Sequence, residues 1–340
     1  MSDTTLIETM KNIDFYPHHP MDVEFIETHI SYVFLAGDFV YKVKKPVRFD
    51  FLDFTSLEKR KFYCEEELRL NRRLAPDIYL DVIGISKDVH GNLTLGKGIE
   101  VIEYAVSMKK LPENRLLKTL LGKGMVDKKI MDYLAKKIAA FHQEAQTGGH
   151  IDKMGDLEHI RRNQEENFTE TLNYINMTIP DYQYHFIRDY THNFLNKNKK
   201  LLNKRISDHK IRDCHGDLHL DHVCVDDQII IYDCIEFNER FRYGDVAEDV
   251  AFLTMDIDFN GYSQHTESFI ESYIKHSGDV DLPSLLNFYR CYYAYVRGKV
   301  TSFRLVQEEL PRSERENIFM TAAQYFDLAY QYAARLDRPV

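Results

Sequence analysis

The residues with the greatest capacity for chemistry stand together: Asp213-Cys214-His215-Gly216-Asp217-Leu218-His219-Leu220-Asp221-His222, then Val223-Cys224-Val225, Asp226-Asp227 and Gln228-Ile229-Ile230-Ile231-Tyr232-Asp233. Carboxylates at this density suit two tasks, taking a proton from a hydroxyl and holding a hard divalent cation such as Mg²⁺. Two apolar runs flank the Asp226-Asp227 pair, the pattern of a β-hairpin with a two-residue turn. Folding back there pairs Val225 with Gln228, Val223 with Ile230 and His222 with Ile231. Asp233 then lies beside Leu220 and Asp221, and Asp217 and Asp233 are expected to share a cleft.

The remaining chain must position these acids. Ile30-Ser31-Tyr32-Val33-Phe34-Leu35 and Phe39-Val40-Tyr41-Lys42-Val43-Lys44 read as a second hairpin turned at Gly37-Asp38. Lys42 sits mid-strand, where a cation needs a partner or a cleft. Thr55 and Glu58 form a capping-box pattern opening a helix to about Leu74, because Ala75 precedes Pro76. Glu65 has basic neighbours at helical spacing and faces solvent, whereas Glu66 or Glu67 can turn inward toward Lys42. Strands are expected at 78–85, 92–96 and 99–108. Beyond them the pattern is mostly helical, with Asp127 capping a helix that repeats Ile130, Leu134, Ile138 and Phe141. The expected plan is α+β and bilobal: a small β-rich lobe over 1–108 with a mixed antiparallel sheet and one helix, a hinge at 109–112, and a larger helical lobe over 113–340 holding the catalytic loop and hairpin.

Length and composition fit that plan. The 340 residues suffice for two lobes with a sizeable core. A formal net charge of -10 argues against a broad nucleic-acid or anionic-membrane surface. No apolar run approaches the roughly 20 residues that span a bilayer, and the start MSDTTLIETMKNIDF has no secretory pattern, so the expected location is cytoplasmic. Five cysteines are too few and odd in number for a disulfide framework.

Phosphoryl transfer needs a base or positioner for the attacking hydroxyl, a metal ligand and a cation on the nucleotide phosphates. Asp217, Asp233 and Lys42 are candidates for these tasks, with Glu66 holding Lys42. The stretch from His215 to His219, the following hairpin and Asp233 together resemble the catalytic core of the aminoglycoside phosphotransferase family, relatives of the eukaryotic-type protein kinases. Phe39-Val40-Tyr41-Lys42 resembles that family's lysine strand, Glu66-Glu67-Leu68-Arg69-Leu70-Asn71 its glutamate helix, and Phe141-His142 the pair that closes a helix ahead of the catalytic loop. Glu27-Thr28-His29-Ile30-Ser31 through Asp77, and Asp233-Cys234-Ile235-Glu236-Phe237-Asn238, resemble an uncharacterised bacterial subgroup, sometimes fused to a nucleotide-binding domain. The resemblance covers roughly residues 25 to 310.

It implies a protein-kinase-like fold with ATP between the lobes and Mg²⁺ on Asp233, a small-molecule substrate, and nucleotide contacts from Lys42, Glu66, Ser31, Met108 and Lys110. Two departures stand out. His222 occupies the position of the family's metal-binding Asn, although imidazole is a poor Mg²⁺ ligand. No G-x-G-x-x-G precedes Lys42, which leaves Ser31 and nearby amides for the phosphates.

Other readings compete. Cys214, His215, Asp217, His219, His222 and Cys224 invite a metallohydrolase, and His222 invites a pseudokinase kept for nucleotide sensing or protein binding. Glu236 and Arg297 are the expected substrate contacts, Glu236 alternatively a second metal ligand. Arg290 and Arg297 lie seven apart on one helix face, ready for an anionic substrate or for pairing with Asp245 or Asp256. Asp249 is expected to be a buried acid bracing the catalytic loop, and His142 a satisfied core histidine.

Overall fold

The computed structural model describes residues 3–306 and 310–335. Its packing divides into two units, Met1–Thr119 with His222–Glu239, and Leu120–Asp221 with Arg240–Val340.

The first unit is built on a six-stranded antiparallel sheet in the order Val23–Glu27, Ser31–Ala36, Phe39–Lys44, Glu100–Lys109, Tyr79–Lys87, Leu93–Leu95. Ala36 pairs with Phe39, so Gly37 and Asp38 form the expected two-residue turn, with Gly37 at φ +61°. That turn sets Ser31 opposite Lys44 and Val33 opposite Lys42. Lys42 and Lys44 therefore project from the same sheet face, since side chains alternate along a strand. Helix Leu57–Asn71 is capped by Ser56, whose hydroxyl accepts from the Lys59 amide, rather than by Thr55. Thr55 is already engaged, donating its hydroxyl to Asp53 Oδ1 at 2.6 Å.

One apolar cluster joins Leu6, Met10 and Tyr16 of the N-terminal segment to Phe34, Tyr41, Val43, Ile85 and Ala105 of the sheet. A second joins Cys64, Ile78, Tyr79, Val106 and Met108 to Cys224 and Ile230 of the acidic hairpin. The hairpin, expected within the helical lobe, instead packs its apolar side chains with the sheet and its helix. Its strands, Val223–Val225 and Ile229–Ile231, pair Val223 with Ile231 and Cys224 with Ile230, one residue away from the predicted register. The turn is longer than Asp226-Asp227 because Gln228 joins it, the Asp226 amide donating to the Gln228 carbonyl.

The second unit is helical, with Lys128–Glu144, Leu157–Thr171, Asp181–Lys197, Val246–Phe259, Ser263–Ser277, Pro283–Phe303 and Arg312–Arg335 as its long members. Asp127 caps the first of these by accepting from the Ile130 amide, as its position predicts. Helix Val246–Phe259 is buried on nearly every side and is the unit's central element. Its start is fixed twice over. Asp245 and Glu248 form a capping box, and the Asp245 carboxylate also takes a two-pronged bond from Arg205, at 2.8 and 2.6 Å. A third Arg205 nitrogen donates to Asp279 at 2.5 Å, and all three residues are buried.

Removing the cation alone leaves the buried Asp245 carboxylate without its ion-pair partner and Asp279 with only the more distant Lys210, at 3.8 Å. Arg205→Met is expected to lose about 3–5 kcal/mol of unfolding free energy in urea titrations; a loss below about 1 kcal/mol would show that Asp245 and Asp279 do not depend on it.

Candidate active site

Helix Leu57–Asn71 buries Arg60, Cys64, Glu67, Leu70 and Asn71, residues three and four apart that form one stripe. Glu67 lies in the stripe, while Glu66 lies at its flank and accepts from Arg69 Nη2 at 2.6 Å. The inward glutamate is thus Glu67, and the assignment of Glu66 to Lys42 is corrected. Glu67 Oε1 is 2.9 Å from Lys42 Nζ, and Glu67 Oε2 accepts from Lys44 Nζ at 2.7 Å. Lys42 also donates to Asp233 Oδ1 at 2.6 Å, and Lys44 to Glu236 Oε1. Five side chains of the first unit form a line of alternating charge: Asp233, Lys42, Glu67, Lys44, Glu236.

The two lysines are not equivalent in this line. Lys44 is fully buried, and it makes the aligned hydrogen bond to Glu67. Lys42 approaches Glu67 Oε1 without hydrogen-bond alignment and directs its aligned bond to Asp233. Burial alone would lower the Lys42 ammonium, but Asp233 and Glu67 hold it well above the usual lysine value. Burial likewise opposes the Glu67 charge, and Lys42 and Lys44 keep its carboxyl below the usual glutamate range.

Asp233 adopts a left-handed backbone, φ +60°, which a non-glycine residue holds only where its surroundings impose it. Its amide donates to the Tyr79 hydroxyl at 3.1 Å, and the Cys234 amide to Asn71 Oδ1 at 2.9 Å. Asp233 Oδ2 lies 3.6 Å from His222 Nε2, and the Asp233 side chain is 38% exposed, unlike Glu67 and Glu236. A partly solvated carboxylate is a hard oxygen donor of the kind Mg²⁺ accepts together with water.

The loop holding Asp217 is organised by the second unit. Asp249 and Asp256, seven apart on helix Val246–Phe259, share a face. Asp249 accepts from the His215 amide at 2.8 Å and the Gly216 amide at 2.9 Å, and Asp256 from the Leu220 amide at 2.9 Å. His142 Nε2 is 3.1 Å from Asp249 Oδ2, and its Nδ1 2.8 Å from the Tyr273 hydroxyl. Burial opposes the Asp249 charge, yet the His142 bond and the His215 amide hold its carboxyl below the usual aspartate range. Gly216, at φ +82°, approaches backbone so closely that a Cβ there would lie 2.6 Å from the Phe241 carbonyl oxygen. Asp217 Oδ2 is 3.7 Å from His219 Nε2; burial works against a charge on that imidazole, and Asp217 nevertheless raises its pKa.

The remaining expected contacts have the following settings. Ser31 is fully buried, so its hydroxyl does not line a solvent-accessible phosphate site. Glu236 is bonded to Lys44 instead of being turned to a substrate, and burial pushes its carboxyl up. Met108 packs in the second apolar cluster, and the Lys110 amide donates to the Asp38 carbonyl at 2.8 Å. Arg297 lies over the Tyr325 ring, 5.5 Å from its centroid, and feels the charges of Asp256 and Asp217. Arg290 donates to Thr254 Oγ1 rather than to Asp245 or Asp256. Cys214 and Cys224 are buried thiols whose pKa values burial raises, that of Cys224 to about 11, which disfavours the thiolates a zinc site requires.

Sequence reasoning missed Lys44, Tyr79, Asn71, Asp256 and Arg205. Lys44 had a readable signal, because it lies two residues from Lys42 on the same strand face.

The two units, one built on an antiparallel sheet and one helical, define a protein-kinase-like fold. The choline kinase of Cryptosporidium parvum Iowa II shares it at TM-score 0.56 and 10% identity, over 98% of this chain and 96% of that one. A choline/ethanolamine kinase family protein from Mesorhizobium loti does so at TM-score 0.52 and 12% identity, over 97% and 99%. Residues 125–288 match the family model described as the phosphotransferase enzyme family. An uncharacterized protein of Mycobacterium tuberculosis (strain ATCC 25618 / H37Rv) is 34% identical over 294 residues, covering 85% of this chain. The chain spans 57% of that relative's length.

Two outcomes follow from the site. Glu67→Gln leaves Lys42 and Lys44 undercompensated and is expected to cost about 3 kcal/mol or more in chemical denaturation, while Glu66→Gln costs under about 1 kcal/mol. Equal losses would place the two glutamates in equivalent settings. Glu248, beside Asp249, has its carboxyl pushed up to about 8, first by burial and then by Asp245. Its folded value exceeds the unfolded one, so its contribution to stability is complete below about pH 4.5 and is lost as pH rises toward about 8. In a pH series of unfolding free energies, Glu248→Gln is expected to remove up to about 1.4 kcal/mol per pH unit of that decline; an unchanged slope would assign the decline to other groups.

Proposed function

We propose that the chain is an ATP-dependent phosphotransferase that moves the γ-phosphoryl group to a hydroxyl of a small polar molecule or sugar. The observation that carries this reading is the Lys42 ammonium, held between Asp233 and Glu67 with 14% of its side chain exposed. A lysine kept charged by two carboxylates suits nucleotide phosphates, whose negative charge can replace that of Asp233 at the ammonium. Asp233 is the proposed Mg²⁺ ligand, the ion neutralising charge on the phosphates when bound. Asp217 is the proposed acceptor of the hydroxyl proton, in a loop whose flanking amides are anchored by Asp249 and Asp256.

His222 differs from the ligand such an enzyme would use beside Asp233. Its imidazole is assigned to the surroundings of Asp233, where its ring also lies against Tyr232. Mg²⁺ then relies on Asp233, nucleotide phosphates and water. The match to the phosphotransferase family supports the reaction class.

Isothermal titration with ATP and Mg²⁺, followed by a phosphorylation screen of polar metabolites, tests the proposal. Asp217→Ala is expected to lower turnover about 10²–10⁴-fold while nucleotide affinity stays within about twofold. Asp233→Ala is expected to abolish the Mg²⁺-dependent part of nucleotide affinity. Undiminished turnover in Asp217→Ala would remove it as the base, and an absence of nucleotide binding by the unmodified chain would overturn the proposal.

A further inference from the structure

The reaction proposed above uses Lys42, Asp233 and Asp217, and gives no task to Lys44 or Glu236. Yet a fully buried ammonium carries a large desolvation cost, and Lys44 meets it by bonding Glu67 and Glu236 together. Glu236 follows Asp233 by three residues, so its bond to Lys44 fastens the segment after Asp233 to the lysine strand. The backbone beside Asp233 is also attached, from the Asp233 amide to Tyr79 and from the Cys234 amide to Asn71. Three groups from a strand, a second strand and a helix thus hold one aspartate in a left-handed backbone conformation. Lys44 also occupies the aligned bond to Glu67, which leaves Lys42 with its aligned bond to Asp233.

We propose that Lys44 and Glu236 form a positioning clamp that holds Asp233 in its metal-binding conformation and, by occupying Glu67, frees Lys42 for the nucleotide phosphates. The metal-binding role rests on the phosphotransferase reading; the clamp on the backbone does not. Neither residue touches nucleotide or acceptor. Each acts through a neighbour, Lys44 through Glu67 and Glu236 through the backbone of Asp233.

The test is the double variant Lys44→Met/Glu236→Gln, which removes one positive and one negative charge together and leaves Glu67 paired with Lys42. Met keeps the length of the lysine stem, and replacing a buried ion pair in this way is compatible with folding. Tyr79→Phe, which deletes only the hydroxyl that accepts from the Asp233 amide, is a milder second variant. Titration with ADP, with and without Mg²⁺, is expected to show about a tenfold or greater loss of Mg²⁺-dependent affinity in the double variant. Metal-free affinity is expected to fall by a smaller factor, as Lys42 turns to the Glu67 carboxylate that Lys44 vacates, and the excess loss in the presence of Mg²⁺ is a split that general loosening of the fold would not produce. Tyr79→Phe is expected to shift the same quantity in the same direction by less. Hydrogen exchange at the Asp233 and Cys234 amides is expected to quicken about tenfold in the double variant, an order-of-magnitude mark of local opening.

Affinities and exchange rates within twofold of the unmodified chain would overturn the clamp while leaving the proposed reaction standing. No ADP binding by the unmodified chain would overturn the metal-binding role together with the phosphotransferase reading. The exchange rates would then decide whether the clamp itself exists.

Discussion

Charge burial governs the first unit. Three carboxylates and two ammonium groups are drawn into a sheet–helix interface. Each interior member of the line Asp233, Lys42, Glu67, Lys44, Glu236 is neutralised from two sides. Such an arrangement is costly to assemble from water and costly to interrupt. It is also directional: Glu67 and Glu236 are nearly sealed from solvent, and the Asp233 end is open. The open end is therefore where an added cation or anion can exchange with a member of the line at least expense.

The second unit solves a different problem, that of fixing an irregular loop. Loop amides have no ladder to join, so they need acceptors from elsewhere. Helix Val246–Phe259 supplies Asp249 and Asp256 at a spacing of two turns. The helix is itself secured at its start by Asp245, Glu248 and Arg205. His142 and Tyr273 complete the shell around Asp249. The loop is held by two buried carboxylates, and at Asp249 the hydrogen-bond donors outweigh desolvation and keep the carboxyl below the usual aspartate range.

Much of this was legible in the sequence where local rules apply. The Gly37-Asp38 hairpin, the Asp127 cap, the bracing role of Asp249 and the burial of His142 follow from turn chemistry, capping preference and helical spacing. The misses share a cause. Glu66 and Glu67 differ by one step of about 100° around a helix, and only packing decides which faces the sheet. The acidic hairpin shifted by one residue because Asp-Asp marks a turn without setting its length. Ser56 rather than Thr55 caps the helix because Thr55 is held two residues back by the Asp53 carboxylate, through both its amide and its hydroxyl. Tyr79, Asn71 and Arg205 act across long sequence separations, and nothing local distinguishes them from ordinary core residues.

The two-residue turn at Gly37-Asp38 has an evolutionary consequence. Strand side chains repeat every two residues, so adding or removing one residue within the lysine strand's pairing would send Lys42 and Lys44 together to the opposite face. Most surface loops accept insertions at small entropic cost. This turn is therefore expected to keep its length across lineages even where its residues change. The turn that joins strands Tyr79–Lys87 and Leu93–Leu95, by contrast, positions neither lysine and is free to lengthen.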